Sequence, residues 1–494
     1  MISRLLGFAR DMLFAYLFGV SAGTDAFFVA FKIPNFLRRL FAEGAFAQAF
    51  VPVLTDYKQN AGREDLKTFI DKTAGTLTVL LFGVSVLGIV AAPVVITLFA
   101  PGFLAAADRY DLAVEMLRIT FPYLLFISMT AFAGGILNAH GKFAIPAVTP
   151  VFLNLCMILA AIFCAPWFAE PMLALSWGVF VAGAVQLAFQ IPALSRLGLL
   201  PRLRWGWRDA GVRRIIKLMV PAMFSVSVVQ INLLFDTFMA SFLDAGSVSW
   251  LYYSDRLVEF PLGIFGVAVA TVILPYLSDH HASDDIAAFS KSMDWGLKVV
   301  MAIGLPATVG LVMLAKPVIY TLFRYNEFEA TDAYMAARSL MAFALGLLAF
   351  MLIKVLVPGF TSREDTGSPV RFGVYAVICN VVLNLALIHP YAHAGVALAT
   401  SLAAYLNAGM LWFALWRRGI HRPDLSWWIF LLRVILASAV MGLFLFYFVD
   451  NSVWLAWGAW QRGLHLAGVI FVAILAYVVT LLVLGIRPRH LMAR

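Results

Sequence analysis

The chain has 494 residues, 63% of them hydrophobic and only 13% charged, with a mean hydropathy of +0.90. Soluble domains run about 45–50% apolar and about 25% charged, so a soluble fold is excluded. The net charge of +9 would suit a nucleic-acid partner, but the positions of the cations between apolar runs explain it better.

Apolar runs of about 20 residues, the length a helix needs to cross a bilayer, recur throughout. Alternating segments of about 10 residues, the mark of a β-barrel, are absent. The fold class is therefore an all-α polytopic membrane protein. About fourteen spans are expected, at 2–20, 25–55, 74–99, 114–138, 147–168, 172–195, 215–243, 248–277, 296–323, 336–359, 370–388, 394–416, 427–449 and 464–486.

The first segment does not read as a cleavable signal, because Arg4 and Arg10 interrupt it and no small-residue cleavage site follows cleanly. The second lies within Thr24–Asp56 and keeps Lys32, Arg38, Arg39 and Glu43 among apolar residues. Pro34 and Asn35 break its pattern and predict a bend that lines a cavity. Residues 62–73 read as a short amphipathic helix on the membrane surface, and 278–294, with His280 and His281, as a solvated loop. Cys156, Cys164 and Cys379 fall in apolar segments and form no metal or disulfide pattern.

Lys and Arg in the connecting loops divide 22 to 3 between the two sides. By the positive-inside rule both termini are cytoplasmic, which agrees with an even number of spans. The basic loop 196–217 carries the largest share.

An internal repeat organises the chain. FVPVLTDY at 50–57 is similar to VILPYLSDH at 272–280, and PVVITLF at 93–99 to PVIYTLF at 317–323. Pro146 falls in step with Pro369, at the same offset of about 223 residues. Segments 1–6 thus repeat as 7–12 in the same orientation, a common transporter plan with a site between two bundles. The expected divisions are 1–196, a basic linker at 197–214, 215–418, and two additional helices in 419–494.

Several charges stand inside the apolar segments. Lys316, Arg338 and Arg433 lie near predicted ends and can snorkel. Arg4, Arg10, Lys32, Arg38, Arg39 and Arg256 crowd instead into segments 1, 2 and 8, with Asp11, Asp25, Glu43, Asp255 and Glu259 as acidic companions. Charge at membrane depth is costly and marks a site. Clustered arginines suit a phosphate-bearing ligand in a water-filled cavity, since guanidinium binds phosphate oxygens through a bidentate fork. The alternative is a set of ion pairs with a purely structural role.

A second polar group comprises Asp236 in segment 7, Asn380 and Asn384 at i, i+4 in segment 11, and Thr400 in segment 12. Their oxygens suit a small hard cation; helix–helix hydrogen bonding is the other reading. No nucleotide-binding GxxxxGK[ST], HExxH or GxSxG arrangement suggests an enzyme or an ATP site.

SRLLGFARDMLFAYLFG (3–19), TDAFFVAFKIPNFLRRLFAEGAFAQAFVPV (24–53) and SVSWLYYSDRLVEFPLGIFGVAVAT (247–271) closely resemble the MurJ/MviN family of bacterial lipid II flippases. The resemblance covers nearly the whole chain, including APGF at 100–103 and the two last helices. Family chains usually begin about a dozen residues earlier, so either the first helix here is short or the start is misassigned.

That resemblance implies fourteen spans in two six-helix lobes. It implies translocation of the lipid-linked peptidoglycan precursor to the outer leaflet of the cytoplasmic membrane by alternating access, without enzymatic activity. Arg4, Arg10, Arg38 and Arg256 would line the cavity with Asp25 at the outer end of helix 2, and helices 13 and 14 would hold the polyprenyl tail. The implied partners are lipid II, membrane lipids and the cell-wall synthesis machinery. No organic cofactor is implied; sodium would fall on Asp236, Asn380, Asn384, Val396 and Thr400. With no ATP motif, membrane potential or an ion gradient is the expected driving force. The competing readings are a flippase for another polyprenyl-linked glycan, a drug or cation antiporter of the same superfamily, and a membrane scaffold.

Overall fold

The computed structural model describes residues 2–283, 285–421, 423–450 and 452–487, with backbone alone at 2, 41–44, 224–229 and 233. Glu43 belongs to that last group, so its side chain lies outside the described residues. The described chain is helical without strands, and it divides into two compact units, Met1–Ser249 and Trp250–Arg494.

The first unit begins with α1 (Ile2–Phe18) and α2 (Ala22–Leu37). Ser21 and Thr24 cap α2 reciprocally, satisfying N–H groups that the first turn leaves open. Pro34 does not break this helix. The helix instead widens four residues later into a π-helical stretch, Arg38–Phe46, before α3 (Ala47–Asn60). Pro34 has no N–H to give, and the wide turns that follow re-aim Arg38 and Arg39. Such π segments are common at functional positions.

α4 (Arg63–Val90) and α5 (Ala92–Phe99) follow. The surface helix expected at 62–73 is not separate: it forms the first turns of α4. Its apolar face, Leu66, Phe69, Ile70 and Ala74, is buried with Phe50 and Phe132 in the unit's core, so protein rather than the membrane surface covers it. The unit is completed by α6 (Ala107–Thr120), α7 (Tyr123–Ala139), α8 (Ala144–Val148), α9 (Pro150–Leu159), α10 (Met172–Arg196) and α11 (Ala210–Ser241).

The second unit runs from α12 (Ser247–Pro261), whose first three residues belong to the first unit. A π-helical stretch, Leu262–Gly266, separates it from α13 (Val267–Ala282). Next come α14 (Ile286–Met313), α15 (Ala315–Leu322), α16 (Ala330–Thr361), α17 (Gly367–Tyr391) and α18 (His393–Arg417). The loop expected at 278–294 shrinks to the few residues between α13 and α14. His280 and His281 sit in the last turn of α13. α19 (Leu425–Phe448) packs on α14, and α20 (Ala459–Val483) packs on α19 and α15.

The repeat appears in the local structure of each unit. α4 and α14 both have 28 residues, and α5 and α15, each set off by a one-residue kink, both have 8. The π stretches begin at Arg38 and Leu262, again in step.

Among the described residues, eleven helices are long and apolar enough to cross a membrane, and each falls on one expected segment. The first expected segment is helical over only 17 residues. The second carries Lys32, Arg38 and Arg39, and the seventh has undescribed side chains at 224–229.

Candidate functional site

Arg10 is 5% exposed and Asp11 1% exposed. Arg10 donates to Asp11 Oδ1 through Nε at 2.9 Å and through its terminal nitrogen at 2.5 Å, and to Asn154 Oδ1 at 3.0 Å. Its guanidinium also lies 5.5 Å from the Phe14 ring centroid. Asn154 in turn donates to the Ser3 carbonyl at 3.1 Å, fixing α1 to α9. A buried charge needs such partners, and Arg10 is therefore tied to the fold. Arg4, two turns earlier, is exposed.

Asp25 is fully buried near the start of α2. Its carboxylate accepts from the Gly246 N–H at 2.7 Å, the Ser249 N–H at 2.9 Å and the Ser249 hydroxyl at 2.6 Å. Arg109 approaches it to 3.8 Å. Three charge-assisted bonds of this length are strong, and they make Asp25 the acceptor for the first N–H groups of α12.

Farther along the same helix, Lys32 Nζ donates to Thr237 Oγ1 at 3.0 Å, and Arg38 Nε to Asn35 Oδ1 at 3.2 Å. Asn35, Arg38 and Arg39 are each half-buried. Asn35 thus aims Arg38.

In the second unit, Arg256 pairs with Glu259 at 2.8 Å and lies 4.9 Å from the Tyr252 ring centroid. Glu259 is exposed, so this pair is more accessible than Arg10 and Asp11.

The second polar group is only partly assembled within one unit. Asn380 and Asn384 are fully buried, and Asn384 Nδ2 donates to the Asn380 carbonyl at 3.0 Å. Thr400 Oγ1 donates to the Val396 carbonyl at 3.2 Å and stands 3.5 Å from Asn380 Oδ1. Amide, hydroxyl and carbonyl oxygens thus gather between α17 and α18, a donor set that fits a small hard cation. Asp236 is 9% exposed on α11 in the first unit. Among the described residues, no group of three or more His, Cys, Asp or Glu could hold a metal.

The sequence pattern did not single out Arg109, Asn154, Thr237 or Ser249. Each acts through a contact distant in sequence from its partner.

On the basic side, Asp365 accepts from Arg418 at 2.6 Å and from the Ser368 hydroxyl at 2.6 Å. Partial burial works against its charge, but those hydrogen bonds prevail and hold the carboxyl at about 2.

Comparison with known proteins identifies the architecture. A structure titled as an inward-facing multidrug resistance MATE family transporter of the MOP superfamily aligns with a TM-score of 0.71 at 14% identity, covering 85% of this chain and 95% of that one. A structure of lipid II flippase MurJ in an inward closed conformation aligns with a TM-score of 0.82 at 27% identity, over 97% and 96%. The class is therefore a polytopic helical membrane protein with the fold that these two structures share.

The family model described as "Lipid II flippase MurJ" matches residues 14–466. A protein of Vibrio cholerae serotype O1 named "Probable lipid II flippase MurJ" is 48% identical over 501 residues, covering 100% of this chain and 95% of the relative. The chain belongs to the MurJ lipid II flippase family.

Proposed function

We propose that this chain flips lipid II, the polyprenyl-pyrophosphate-linked peptidoglycan precursor, from the cytoplasmic to the periplasmic leaflet of the bacterial inner membrane, and so serves cell-wall synthesis. Translocation proceeds by alternating access of the repeated bundles, 1–196 and 215–418, in a chain of fourteen spans with both termini cytoplasmic. The observation that carries the reading is Arg256, a half-buried guanidinium on α12 whose i, i+3 partner Glu259 is exposed. An arginine in that setting has one ready use, binding an anion that enters from water.

Arg38, with Lys32 and Arg39 on the same charged stretch, adds to the cationic surface for the pyrophosphate. Arg10 and Asp25 shape the helices that carry it. The two last helices, α19 and α20, expose Phe446, Phe471 and Val483 among other apolar residues and suit the polyprenyl tail. Without a nucleotide motif, the driving force is the membrane potential, about 2.3 kcal/mol per charge per 100 mV, or an ion gradient. Sodium is the proposed ion; Asn380, Val396 and Thr400 would hold it through their oxygens, with Asn384 beside them.

The test is a depletion and complementation assay that reads lipid II exposure on the outer leaflet. Arg38→Ala and Arg256→Ala are expected to reach normal membrane levels and to leave lipid II inside. Normal exposure in both variants would sink the proposal.

A further inference from the structure

The strap between α10 and α11, residues 197–209, has no helix of its own, yet it is held closely to α4. Arg202 donates its backbone N–H to Asp71 Oδ1 at 2.8 Å, and Arg204 to the Asp71 carbonyl at 3.2 Å. Gly206 donates to Thr76 Oγ1 at 3.0 Å, and Lys72 pairs with Asp209 at 2.8 Å. Asp71 is itself buried. The approach is so close that a Cβ on Gly75 would lie 2.2 Å from the Arg204 carbonyl oxygen.

With its backbone fastened to α4, the strap turns the side chains of residues 202–205, 207 and 208 outward. Leu203, Trp205 and Trp207 are 63%, 59% and 43% exposed, and the two indoles stack with ring centroids 6.1 Å apart. Arg202, Arg204 and Arg208 are exposed between them, and residues 197–208 contain no acid. Asp209 is already engaged by Lys72.

The depth of the strap says what covers it. Arg204 crosses α4 at Gly75, and the apolar residues that α4 exposes begin with Val79, Leu80 and Phe82. Four residues of helix rise about 6 Å. The strap therefore sits at the headgroup level of the leaflet whose hydrocarbon α4 enters. Indoles favour that level, and interleaved arginines attract acidic headgroups.

We infer that residues 202–208 form an interfacial binding surface for the anionic phosphodiester headgroups of the bilayer. The indoles insert at the headgroup boundary and the three arginines engage the phosphates. The surface fixes the height of the α10–α11 connection in the membrane. None of its residues is among those assigned to lipid II, and its test needs no transport.

The experiment uses the full chain in vesicles of brominated phosphatidylcholine, with or without brominated phosphatidylglycerol. The chain has 13 tryptophans, so the strap's share of quenching is read as the difference between the parent and the Trp205→Phe/Trp207→Phe variant. That share is expected to be substantial and to grow with phosphatidylglycerol. In Arg202→Gln/Arg204→Gln/Arg208→Gln the growth is expected to vanish. Each neutralised arginine should weaken binding of phosphatidylglycerol about fivefold, the equivalent of about 1 kcal/mol. The outward side chains leave the backbone bonds to α4 in place, and an unchanged melting temperature checks this. Equal quenching with and without phosphatidylglycerol would overturn the anionic preference. An undetectable strap share would place the surface in water, against a soluble protein partner, and overturn the proposal entirely.

Discussion

Asp25 and Ser249 are joined by two hydrogen bonds, one from the Ser249 hydroxyl at 2.6 Å and one from its backbone N–H at 2.9 Å. The carboxylate stands where a helix N-cap side chain would, but it comes from 224 residues away. Asp25→Ala would leave the Gly246 and Ser249 N–H groups buried without their acceptor, at about 1–3 kcal/mol. Asp25→Asn keeps the shape and one acceptor oxygen, and should cost less. The melting temperature of the purified full chain is expected to fall in the order parent, Asn, Ala. Equal melting of all three would show that the carboxylate does not support this helix start.

A second prediction concerns Gly75. The position is inside a helix, where alanine is ordinarily favoured over glycine by about 1 kcal/mol. Here the added methyl would collide with the Arg204 backbone at 2.2 Å, so Gly75→Ala is expected to destabilise by about 1–3 kcal/mol, as overpacking does. Limited proteolysis at the exposed arginines of 202–208 should accelerate. Protection equal to the parent would mean that the strap is not held where the hydrogen bonds place it.

The Asp365 pair gives a pH dependence. Its folded pKa of about 2 lies below the ordinary carboxylate value near 3.9. The pairing therefore contributes stability that is fully present above about pH 4 and is lost as pH falls toward 2. Both partners are substantially exposed, so the pair is worth only about 0.5–1 kcal/mol after solvent screening. In a double-mutant cycle of Asp365→Asn and Arg418→Gln, a coupling of that size is expected at pH 7, with a smaller one at pH 3. A pH-independent coupling would assign the contact to something other than the carboxylate charge.

Much of this was legible in the chain itself, for a physical reason. Membrane helices advertise their length through hydropathy, and charges in them stand out because they are costly. The positions of Arg38 and Arg256 could be read that way, whereas the breaks after Val90 and Met313 could not, since 74–99 and 296–323 each read as one apolar segment. The start of α4 was less legible. An amphipathic stretch such as 63–74 looks the same whether its apolar face meets lipid or meets Phe50 and Phe132. Pro34 lies inside the helix and the π-helical stretch begins four residues after it, a widening that hydropathy does not signal. Arg109 beside Asp25 could not be found at all from local pattern, because the contact closes a long loop.

The two most informative arginines should fail in different ways. Arg10 is buried and bonded to Asp11 and Asn154, so Arg10→Ala strips a buried carboxylate of the guanidinium that neutralises it. Breaking a buried pair in this way costs about 3–5 kcal/mol, and the variant is expected to be poorly expressed or to melt early. Arg256 faces an exposed Glu259, and such i, i+3 pairs contribute well under 1 kcal/mol. Arg256→Ala should therefore melt near the parent while lipid II exposure is lost. Arg256→Lys keeps the charge but not the fork, so partial recovery would tie the loss to bidentate phosphate binding. Measuring melting and lipid II exposure on the same preparations separates the two roles. An Arg256→Ala variant as unstable as Arg10→Ala would make both residues structural and remove the cation on which the proposed function rests.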